Sequence, residues 1–554
     1  MEFKGENPFK VSAYIKAARI IGDLTRDIEE ISHHGELKAI PGVGDGIAQK
    51  ISEYLETGKV GAYEELHEAV SDELVALMSI PGMGPKTLSL IHREVGIKDM
   101  ADLRRAIEDG SLIGLPGMGE KKVENIRRGI ELLAQSRGRM NLGLAFPLAT
   151  RMVESMKRAT GLTKIEVAGS LRRMREDIGD IDILATGSKG KKIIATFTGL
   201  PEVREVLASG ETKGSVVVEG GTQVDLRVVE EECYGAALQY FTGSKPHNIR
   251  LRSVGPAKGI KINEYGVFRG ERRIGGREEA EVYTALGLIW IPPELREDRG
   301  EIKAAQRGEL PNLLARSDVN GDLHVHSSWS DGSSDLDEIA RWGKSMGYQY
   351  VAICDHSKSL KIARGLVEDV LWRQMDEIDR INERLDGFRL LKGTEVDILP
   401  DGTLDLSDEI LSHLDVVIAA IHTGFKQPRE RITKRIFLAM ENPHVDIIAH
   451  PTGRLLGTRE PYEVDLDRVM EMAAQTHTGL EINAYHERLD LNDTGCMRAK
   501  EGGVMISIGT DAHHPEQMWM MDLGVAVARR GWLEKDDILN CLSAHQLIGW
   551  CGEA

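Results

Sequence analysis

The chain has 554 residues, of which 41% are hydrophobic, and a formal net charge of −18 at pH 7; this length predicts about three or four domains. Its five cysteines form no Cys-x-x-Cys pair, which argues against a disulfide framework or a thiolate zinc site. No stretch approaches about eighteen uninterrupted apolar residues, and the first residues lack the apolar segment of a signal peptide, so we expect a cytoplasmic protein.

The first segment of the chain repeats one pattern three times, at residues 40–44, 80–84 and 115–119. Each copy has an apolar residue, Pro-Gly, a second apolar residue and Gly. Flanking apolar residues recur at helical spacing, so the prediction is helix, glycine hairpin, helix. Glycines allow positive φ and close approach of another chain, and the amides of the hairpin and of the next helical turn then face an anion.

These segments resemble helix-hairpin-helix motifs, which grip the DNA backbone without reading its sequence. For each hairpin taken alone, a tight turn that binds nothing is the alternative, and the presence of three copies favours DNA binding. The glycines expected at the phosphates are Gly42, Gly44, Gly82, Gly84, Gly117 and Gly119.

The first hairpin and the residues after it resemble the N-terminal lyase domain of the DNA polymerase beta relatives. The resemblance places Lys50 where that family carries its Schiff-base lysine, which implies lyase chemistry. A lysine acts as a nucleophile when burial or a neighbouring cation lowers its pKa. Gly46 stands where the family commonly has a phosphate-binding lysine, and a solvated surface lysine is the alternative for Lys50.

Short β-branched runs between about residues 145 and 235 predict a sheet. Asp180 and Asp182 lie two positions apart in one run, so both carboxylates project from the same face. Like charges so placed repel each other, and a pair of Mg²⁺ or Mn²⁺ ions would remove the repulsion while holding a nucleoside triphosphate. A third carboxylate, Asp225, lies in a later run of strand-forming residues.

A glycine-serine turn precedes the acidic pair. Gly169 and Ser170 could bind phosphate oxygens through amides and the hydroxyl, and Arg173, with Arg172 as a weaker candidate, could stabilise a departing pyrophosphate. An Asp-x-Asp pair alone is a weak signal. The Gly-Ser turn, the pair and the later strand aspartate together are more specific, and they resemble the nucleotidyltransferase palm.

The following segment, Tyr-Phe-Thr-Gly-Ser from residue 240, resembles the thumb of family X DNA polymerases. In that family the Tyr-Phe pair packs near the incoming sugar, and the later Asn and Arg contact the nascent base pair and the template. The resemblance implies nucleotide-binding roles for Tyr240, Phe241, Gly243, Asn248 and Arg252. Residues 245–247 depart from the family pattern, so that loop could bind the nucleotide differently.

From about residue 321 onward, successive apolar runs end in His, Asp or Glu. Such runs predict buried parallel strands, whose carboxyl ends converge on one mouth of a barrel. Nine ligands exceed what one zinc ion needs and predict two or three divalent ions suited to phosphate ester cleavage. They are His324, His326, Asp331, His356, Glu395, His422, His450, Asp511 and His513. This mixture suits Zn²⁺, Mn²⁺ or Fe²⁺, and Arg454 could steady the phosphate or form a structural salt bridge.

The whole chain resembles the bacterial and archaeal family X DNA polymerases that carry a C-terminal PHP (polymerase and histidinol phosphatase) domain. The resemblance implies an all-α helix-hairpin-helix region, an α+β nucleotidyltransferase palm and thumb, and a distorted (β/α)7 PHP barrel. The expected domains are a lyase-like helix-hairpin-helix domain at 1–78, a fingers-like helix-hairpin-helix domain at 79–143, the palm at 144–235, the thumb at 236–296, a linker at 297–318 and the PHP metallohydrolase at 319–554.

The resemblance implies a repair polymerase that fills short gaps by two-metal nucleotidyl transfer. Its PHP domain would add metal-dependent 3′→5′ exonuclease, 3′-end processing and AP endonuclease activities. Expected partners are gapped or nicked DNA and dNTPs, with no membrane, and the chain is expected to be a monomer. Two alternatives stay open, namely a DNA-end-binding scaffold with an inert polymerase and a phosphoesterase for a small molecule.

The acidic net charge is unusual for a protein that binds nucleic acid, because such proteins commonly present a basic surface. Bound divalent cations would reverse the field around the acidic clusters. The glycine hairpins would hold phosphates through backbone amides, which carry no formal charge. The net charge therefore does not exclude DNA as a partner.

Overall fold

The structure is a computed structural model that describes residues 139–552 without a break. Toward the N-terminus it describes residues 6–7, 10–11, 13–14, 17, 28–33, 35, 37–40, 43–63, 74, 77–80, 83–124, 126–127 and 130. The chain forms two compact units, Met1–Arg137 and Gly138–Ala554. Within the described residues, no helix combines the length and the apolar character needed to cross a membrane.

The described part of the N-terminal unit is largely helical. Its helices include α1 (Ile28–His33), α2 (Asp45–Thr57), α3 (Pro85–Val95) and α4 (Met100–Glu108). Helices α2 and α3 begin directly after the second glycine of a hairpin, as expected, and Gly44 and Gly84 are extended residues before the first turn. The second and third hairpin copies share one apolar core that includes Met83, Leu88 and Ile126, whereas the first copy packs in a separate cluster.

A five-stranded mixed sheet follows in the second unit. In spatial order its strands are β2 (Ile165–Val167), β4 (Asp180–Thr186), β7 (Gln223–Val229), β6 (Lys213–Val218) and β5 (Val203–Ser209). Strands β4 and β7 are parallel, and the other neighbouring pairs are antiparallel. The accompanying elements are β1 (Met140–Asn141), β3 (Asp177–Ile178), α5 (Leu142–Thr160), α6 (Gly169–Arg172) and α7 (Gly190–Thr198).

The thumb region combines three helices with a small antiparallel sheet. Its elements are α8 (Tyr234–Thr242), α9 (Lys245–Val254), β8 (Ile260–Asn263), β9 (Gly266–Arg269), β10 (Arg272–Gly275) and α10 (Glu279–Ala285). The stretch expected as a linker contains α11 (Glu301–Arg307), whose Ile302 and Ala305 lie in the same apolar cluster as Val282 of α10. Part of residues 297–318 is therefore packed against the thumb.

The C-terminal part is a barrel of seven parallel strands. They are β11 (Gly321–Val325), β12 (Tyr350–Ile353), β13 (Arg389–Asp397), β14 (Val416–Ala420), β15 (Ile447–Ile448), β16 (Gly479–Asn483) and β17 (Ile506–Gly509). Each pairs with the next in sequence order, and a bridge between Val325 and Ala512 brings the chain after the last strand back to the first. The predicted distorted (β/α)7 fold is confirmed.

Helices surround this barrel and cover the outer face of its strands. They are α12 (Leu336–Ser345), α13 (Glu368–Asn382), α14 (Asp408–Leu411), α15 (Arg429–Met440), α16 (Leu466–Gln475), α17 (Asp493–Glu501), α18 (Met521–Arg530) and α19 (Ala544–Cys551). Strands β11, β12, β14, β16 and β17 are buried at every residue, which is expected when both faces of a parallel sheet are covered. The polar groups that follow these strands are consequently gathered at one end of the barrel.

Candidate active sites

Three carboxylates meet at one edge of the mixed sheet. Asp180 is the first residue of β4 and Asp182 is its third, and the buried Ile181 between them points to the opposite face. Asp182 lies directly opposite Asp225 in the register of the parallel strand β7. The structure therefore brings together the three carboxylates that the strand spacing predicts.

Burial and charge crowding destabilise the anionic form of Asp182, the central carboxylate. Burial, followed by the charges of Asp180 and Asp225, raises the pKa of Asp182 from 3.8 to about 6. Partial burial also acts to raise the pKa of Asp225, but hydrogen bonds from Lys213 and two other side chains outweigh it and lower that pKa. Divalent cations would offset the repulsion, because carboxylate oxygens are ligands that Mg²⁺ and Mn²⁺ prefer.

Asp225 has three side-chain partners that the sequence pattern did not predict. Lys213 Nζ lies 2.8 Å from its Oδ2, and its Oδ1 accepts hydrogen bonds from Ser215 Oγ at 2.7 Å and Gln223 Nε2 at 2.8 Å. Lys213 and Ser215 alternate on β6, and this polar alternation is the one signal that points to them. The hydrogen bonds keep Asp225 ionised and weakly basic, which suits a metal ligand better than a proton acceptor.

Gly169 lies against the acidic pair. It has a φ of +61°, in the left-handed region, and a Cβ on it would lie 2.6 Å from Asp182 Oδ2. A larger residue there would displace the carboxylate, so both backbone conformation and space favour glycine. Ser170 follows in the same short helix, α6. The predicted phosphate-binding turn therefore adjoins the carboxylates.

The two arginines after this turn have different partners. Arg173 Nε donates to Glu297 Oε1 at 3.0 Å, and its Nη1 donates to the Thr242 carbonyl at 2.5 Å. Arg172 instead forms a bidentate pair with Glu279, at 2.7 and 3.0 Å. Both terminal guanidinium nitrogens of Arg172 thus donate to Glu279. Arg173 is therefore the better placed of the two for binding a substrate phosphate.

The expected nucleotide-binding residues of the thumb are connected to one another. The rings of Tyr240 and Phe241 meet edge to face, with centroids 5.2 Å apart. The Arg252 guanidinium carbon lies 5.9 Å from the Tyr240 ring centroid, and Asn248 Nδ2 donates to the Tyr240 carbonyl at 2.7 Å. Gly243 has a φ of +72°, and a Cβ on it would lie 3.1 Å from the Arg173 guanidinium. The segment therefore reaches from the thumb helices to the phosphate-binding turn.

His247, one of the residues that depart from the family pattern, is fully buried. Its Nδ1 lies 2.6 Å from Glu301 Oε1, and its Nε2 lies 3.2 Å from the Tyr283 hydroxyl. The imidazole thus connects α9 to α11 and to α10 through polar contacts. At this position the departure changes the packing of the thumb, and the side chain is not available to a nucleotide.

The nine predicted ligands of the barrel lie together at its carboxyl end. Three groups of their ligand atoms each fall within 4.8 Å and could hold a metal ion. The groups are His326 with Asp331, His356 and His513; His324 with His326 and Asp511; and His356 with Glu395 and His422. The ninth residue, His450, has its Nε2 3.0 Å from Glu395 Oε1. Because the groups share members, ions bound in them would be close neighbours.

Glu395 is the central carboxylate of this cluster. Its Oε2 lies 2.8 Å from His356 Nδ1 and 3.6 Å from His324 Nε2. Its Oε1 lies 3.3 Å from His422 Nε2 and 3.0 Å from His450 Nε2. Burial acts to raise its pKa, but the surrounding imidazoles outweigh this and hold the pKa of Glu395 well below its usual range. With His326 Nε2 at 3.8 Å from Oε2, five imidazoles surround this one ionised carboxylate, which would serve as a ligand of divalent cations.

The histidines of the cluster do not share one protonation state. Burial and then the neighbouring imidazole of His513 lower the pKa of His326 to about 3. Burial acts in the same direction on His422, but Glu395 and Asp397 outweigh it and raise that pKa to about 10. Metal ions bind the neutral imidazole and release its proton. Binding of cations would therefore bring all of these imidazoles to the neutral, unprotonated state.

The donor set fits divalent metals of the zinc, manganese and iron class, since six imidazoles and three carboxylates converge. Within the described residues, Nδ1 of His326 and Nδ1 of His450 are buried without a hydrogen-bond partner. Buried polar atoms in proteins are normally paired. A bound ion or an ordered water would give these nitrogens the partner they lack.

Two carboxylates outside the predicted set orient its histidines. Glu481 Oε1 lies 2.6 Å from His324 Nδ1, and Asp397 Oδ1 lies 2.6 Å from His422 Nδ1. Such partners fix which ring nitrogen faces a metal and increase its basicity. The strand-end argument did not identify them, although Asp397 ends β13 two residues after Glu395, where strand alternation places both on one face.

Two arginines near the barrel mouth have distinct contacts. Arg454 donates to the Glu176 carboxylate at 3.2 and 2.6 Å and to the Leu489 carbonyl. Of the two roles predicted for Arg454, these contacts correspond to the structural salt bridge. Arg488 Nε lies 3.4 Å from Asp511 Oδ2, and its buried Nη1 has no hydrogen-bond partner among the described residues. Arg488, which the sequence pattern did not predict, is therefore placed to meet an anion at the cluster.

Of the six hairpin glycines, four lie in the described residues, and Gly42 and Gly82 lie outside them. A Cβ on Gly44, Gly84, Gly117 or Gly119 would meet no atom within 4 Å. Within the described residues of this unit, each of these positions therefore has open space beside it, as a surface that receives a phosphate backbone requires. Their role in DNA binding stays a prediction.

Lys50 lies on α2, after the first hairpin. Its Nζ donates to the Gly46 carbonyl at 3.2 Å and lies 5.9 Å from the centroid of the Tyr14 ring. Neither contact removes the ammonium group from solvent, which is one of the conditions for an activated lysine. Lyase chemistry at this residue stays a prediction.

Four segments of the chain match protein-family models. Residues 1–60 match the helix-hairpin-helix domain, 74–131 the SAM-like helix-hairpin-helix tandem, 237–297 the DNA polymerase beta thumb and 322–485 the PHP domain. The matches follow the order of the parts described above.

The chain is similar to a DNA polymerase along almost its whole length and to phosphatases over its C-terminal part. The chain is 42% identical over 548 residues to the DNA polymerase/3′-5′ exonuclease PolX of Bacillus subtilis (strain 168), covering 98% of this chain and 95% of that protein. It is 31% identical over 230 residues to a probable phosphatase of Thermoanaerobacter sp. (strain X514), covering 40% of this chain and 89% of that protein. A probable phosphatase of Caldanaerobacter subterraneus is 32% identical over 203 residues, or 35% of this chain and 75% of that protein.

Proposed function

The chain belongs to the PolX family of family X DNA polymerases that carry a PHP domain, and we propose that it fills short gaps in DNA and trims DNA 3′ ends during repair. The supporting observation is the presence of two separate clusters of potential metal ligands, one on the palm sheet and one at the barrel mouth. Base excision repair in the cytoplasm, by a monomeric protein, is the proposed setting. AP endonuclease activity of the barrel belongs to the same proposal.

In the palm, Asp180, Asp182 and Asp225 would hold Mg²⁺ or Mn²⁺, and these ions would supply positive charge to the triphosphate and the primer hydroxyl. The protein's own groups act mainly by position. The turn at Gly169 and Ser170 binds phosphate oxygens through amides and the hydroxyl. The neighbouring Arg173 stabilises the negative charge that develops on the departing pyrophosphate.

The thumb residues orient the nucleotide and the primer terminus. Tyr240 and Phe241 pack against the incoming sugar, and their edge-to-face contact keeps the two rings in place. Asn248 and Arg252 contact the nascent base pair and the template strand. The bond from Asn248 to the Tyr240 carbonyl couples these two surfaces.

In the barrel, the nine ligands would hold two or three divalent ions of Zn²⁺, Mn²⁺ or Fe²⁺, which would supply Lewis-acid charge to the scissile phosphate. Glu481 and Asp397 keep the ligand imidazoles in one tautomer and orientation. Arg488 binds a non-bridging phosphate oxygen through its unpaired nitrogen. The hairpin glycines bind the phosphate backbone of the duplex through the neighbouring backbone amides.

Small phosphate monoesters are the second candidate substrate class for the barrel, because two of the relatives above are named probable phosphatases. A comparison of hydrolysis rates on a DNA 3′ end and on histidinol phosphate separates the two classes. Faster hydrolysis of the monoester would favour a small-molecule phosphatase. A scaffold with an inert polymerase lacks comparable support, since the carboxylate triad is complete.

The experiment that tests the main proposal uses one preparation of the full-length protein. With dNTPs and Mg²⁺ or Mn²⁺ it should extend a primer across a short gap, and without dNTPs it should shorten the 3′ end. A chelator should stop both reactions, because both clusters would lose their ions. DNA binding without nucleotide incorporation would contradict the polymerase proposal and favour the scaffold.

Replacing Arg488 by Met should weaken phosphate binding at the barrel. We expect kcat/KM for 3′-end hydrolysis to fall about 10- to 100-fold, as for the loss of a charge-assisted hydrogen bond, while gap filling is unchanged. Arg488→Lys should retain part of the activity. Arg498→Met is the control, because Arg498 lies on α17 with 43% of its side chain exposed. Unaltered hydrolysis by Arg488→Met would exclude a role for Arg488 in phosphate binding.

A further inference from the structure

One arginine of the barrel reaches the polymerase site. Arg530 is the last residue of α18, and 3% of its side chain is exposed. Its Nη1 donates to the Arg173 carbonyl at 2.6 Å and to Glu297 Oε1 at 3.0 Å. A barrel residue therefore contacts both the arginine assigned to the pyrophosphate and the carboxylate that holds that arginine.

Glu297 is shared between two guanidinium groups. Arg173 Nε donates to the same Oε1 at 3.0 Å, and 10% of the Glu297 side chain is exposed. Burial acts to raise the pKa of Glu297, but the charges of Arg173 and Arg530 outweigh it and lower that pKa. The carboxylate is thus ionised and divides its negative charge between a palm arginine and a barrel arginine.

The ion network continues from Arg530 into the barrel. Arg530 Nη2 donates to Asp493 Oδ2 at 2.6 Å, and Arg299 Nη1 donates to the same oxygen at 3.1 Å. Together with Arg173 and Glu297, the network has three cations and two anions, which leaves a formal charge of +1. Buried charges of this kind depend on one another, since removal of one partner leaves the next uncompensated.

The thumb holds Arg173 from the other side. Arg173 Nη1 donates to the Thr242 carbonyl at 2.5 Å, and a Cβ on the following Gly243 would lie 3.1 Å from the same nitrogen. Its Nη2 has no hydrogen-bond partner among the described residues. The guanidinium is therefore fixed through Nε and Nη1, and Nη2 is left for an incoming anion.

We propose that Arg530 is a positioning residue for nucleotidyl transfer, and that the barrel thereby takes part in the polymerase reaction. This inference rests on the proposed role of Arg173 at the departing pyrophosphate. Because Arg530 also donates to Glu297 Oε1, it weakens the electrostatic attraction between that carboxylate and Arg173. It also fixes the orientation of the Arg173 guanidinium. Without Arg530 the formal charge of the network falls to zero and Glu297 pairs with Arg173 alone, which reduces the attraction for pyrophosphate.

The direct test is Arg530→Met in the full-length protein, with Arg529→Met as its matched control. Arg529 also lies on α18, and it donates to Glu294 Oε1 at 2.7 Å and to the Leu314 carbonyl at 2.9 Å, away from Arg173. The measured quantities are kcat and KM for the dNTP in gap filling, KM for inorganic pyrophosphate in the reverse reaction, the rate of 3′-end hydrolysis and the melting temperature.

We expect Arg530→Met to lower kcat/KM for the dNTP about 10- to 100-fold, the range for a hydrogen bond to a charged group. Most of the loss should be a higher KM for the dNTP and for pyrophosphate, because Arg173 binds the phosphates. The KM for gapped DNA and the rate of 3′-end hydrolysis should not change. Arg529→Met should leave both reactions at the wild-type level.

Two further variants separate positioning from folding. Arg530→Lys keeps a cation beside Glu297, so it should restore part of the dNTP affinity, and it also serves if Arg530→Met does not fold. In a Glu297→Gln background the Arg530→Met change should add little to the loss, because the carboxylate through which it acts is gone. Independent, multiplicative losses would overturn the inference.

The outcomes distinguish this inference from the proposed function. Wild-type gap filling by Arg173→Ala would remove the assigned role of Arg173 and overturn the inference with it. An impaired Arg173→Ala beside a fully active Arg530→Met would overturn the inference alone and leave the polymerase proposal standing. Parallel losses of polymerisation, hydrolysis and melting temperature in both Arg530 variants would assign Arg530 a purely structural role and would also overturn it.

Discussion

Gap filling by an Asp182→Asn variant is expected to be at least about 10³-fold slower than by the wild type, because several kcal/mol of transition-state stabilisation depend on the ions that this carboxylate holds. Asparagine keeps the size of the side chain and removes its charge. Asp182 lies opposite Asp225 and beside Asp180, so the change affects the centre of the triad. Hydrolysis of a 3′ end by the same preparation should stay within about twofold of wild type, since the two sites are separate.

The variant should lose activity without losing stability. The pKa of Asp182 is raised from 3.8 to about 6 by burial and its acidic neighbours, so the folded protein binds this proton more tightly than the unfolded chain does. Ionisation therefore destabilises the metal-free fold progressively as the pH rises from about 4 to above 6. Chelator-treated Asp182→Asn protein should melt at a higher temperature than the wild type at neutral pH, and this difference should vanish near pH 4.

Asp177→Asn is the matched control for this experiment. Asp177 lies on β3, just before the acidic pair, and it pairs with Arg139 at 2.7 Å on the surface. The same change of charge there should leave gap filling unaltered. Equal loss of polymerisation and hydrolysis in the Asp182 variant would contradict two independent sites, and a fully active variant would contradict the role of the carboxylate.

The ligands of both clusters could be predicted because local rules place them. Alternation along a strand puts Asp180 and Asp182 on one face, and the carboxyl ends of parallel strands bring residues such as His324 and Asp511 to one mouth. Each rule needs only the residues of one short segment. The register that sets Asp182 opposite Asp225 follows once the two strands are parallel neighbours.

Partners that come from distant segments could not be predicted in this way. Lys213 reaches Asp225 because β6 and β7 pair in one particular antiparallel register, which the two runs of residues do not specify. Arg454 pairs with Glu176 of the palm, 278 positions earlier in the chain. A contact of that kind depends on how the barrel and the palm pack. The sequence alone therefore could not decide whether Arg454 contacts a phosphate or forms a salt bridge.

The charged stretch after the thumb shows why composition is a weak guide to burial. The sequence predicts a linker at 297–318, yet Glu297 and Glu301 within it are largely or fully buried. Each has specific partners: Glu297 pairs with Arg173, and Glu301 lies within hydrogen-bond distance of His247 Nδ1 and accepts bonds from the backbone amides of residues 298 and 299. Charged groups are buried when such pairs exist, and the pairing is decided in three dimensions.

Replacing Glu395 by Gln is expected to slow hydrolysis of DNA 3′ ends by at least about 10³-fold, since the cluster would lose its central charged ligand. Five imidazoles, from His324, His326, His356, His422 and His450, lie 2.8 to 3.8 Å from its oxygens. Glutamine has the same shape and no charge, so fewer divalent ions should be retained. Gap filling should continue at the wild-type rate because the palm carboxylates are untouched.

Metal content separates loss of ligation from loss of folding in this variant. Elemental analysis of the purified protein should find two or three ions of the zinc, manganese and iron class in the barrel of the wild type and fewer in Glu395→Gln. Glu409→Gln is the control, because Glu409 is an exposed residue of α14 in the same barrel. If Glu395→Gln kept both its full metal content and its hydrolysis, the barrel chemistry would have to depend on other ligands. If gap filling fell together with hydrolysis, the two centres would not be independent.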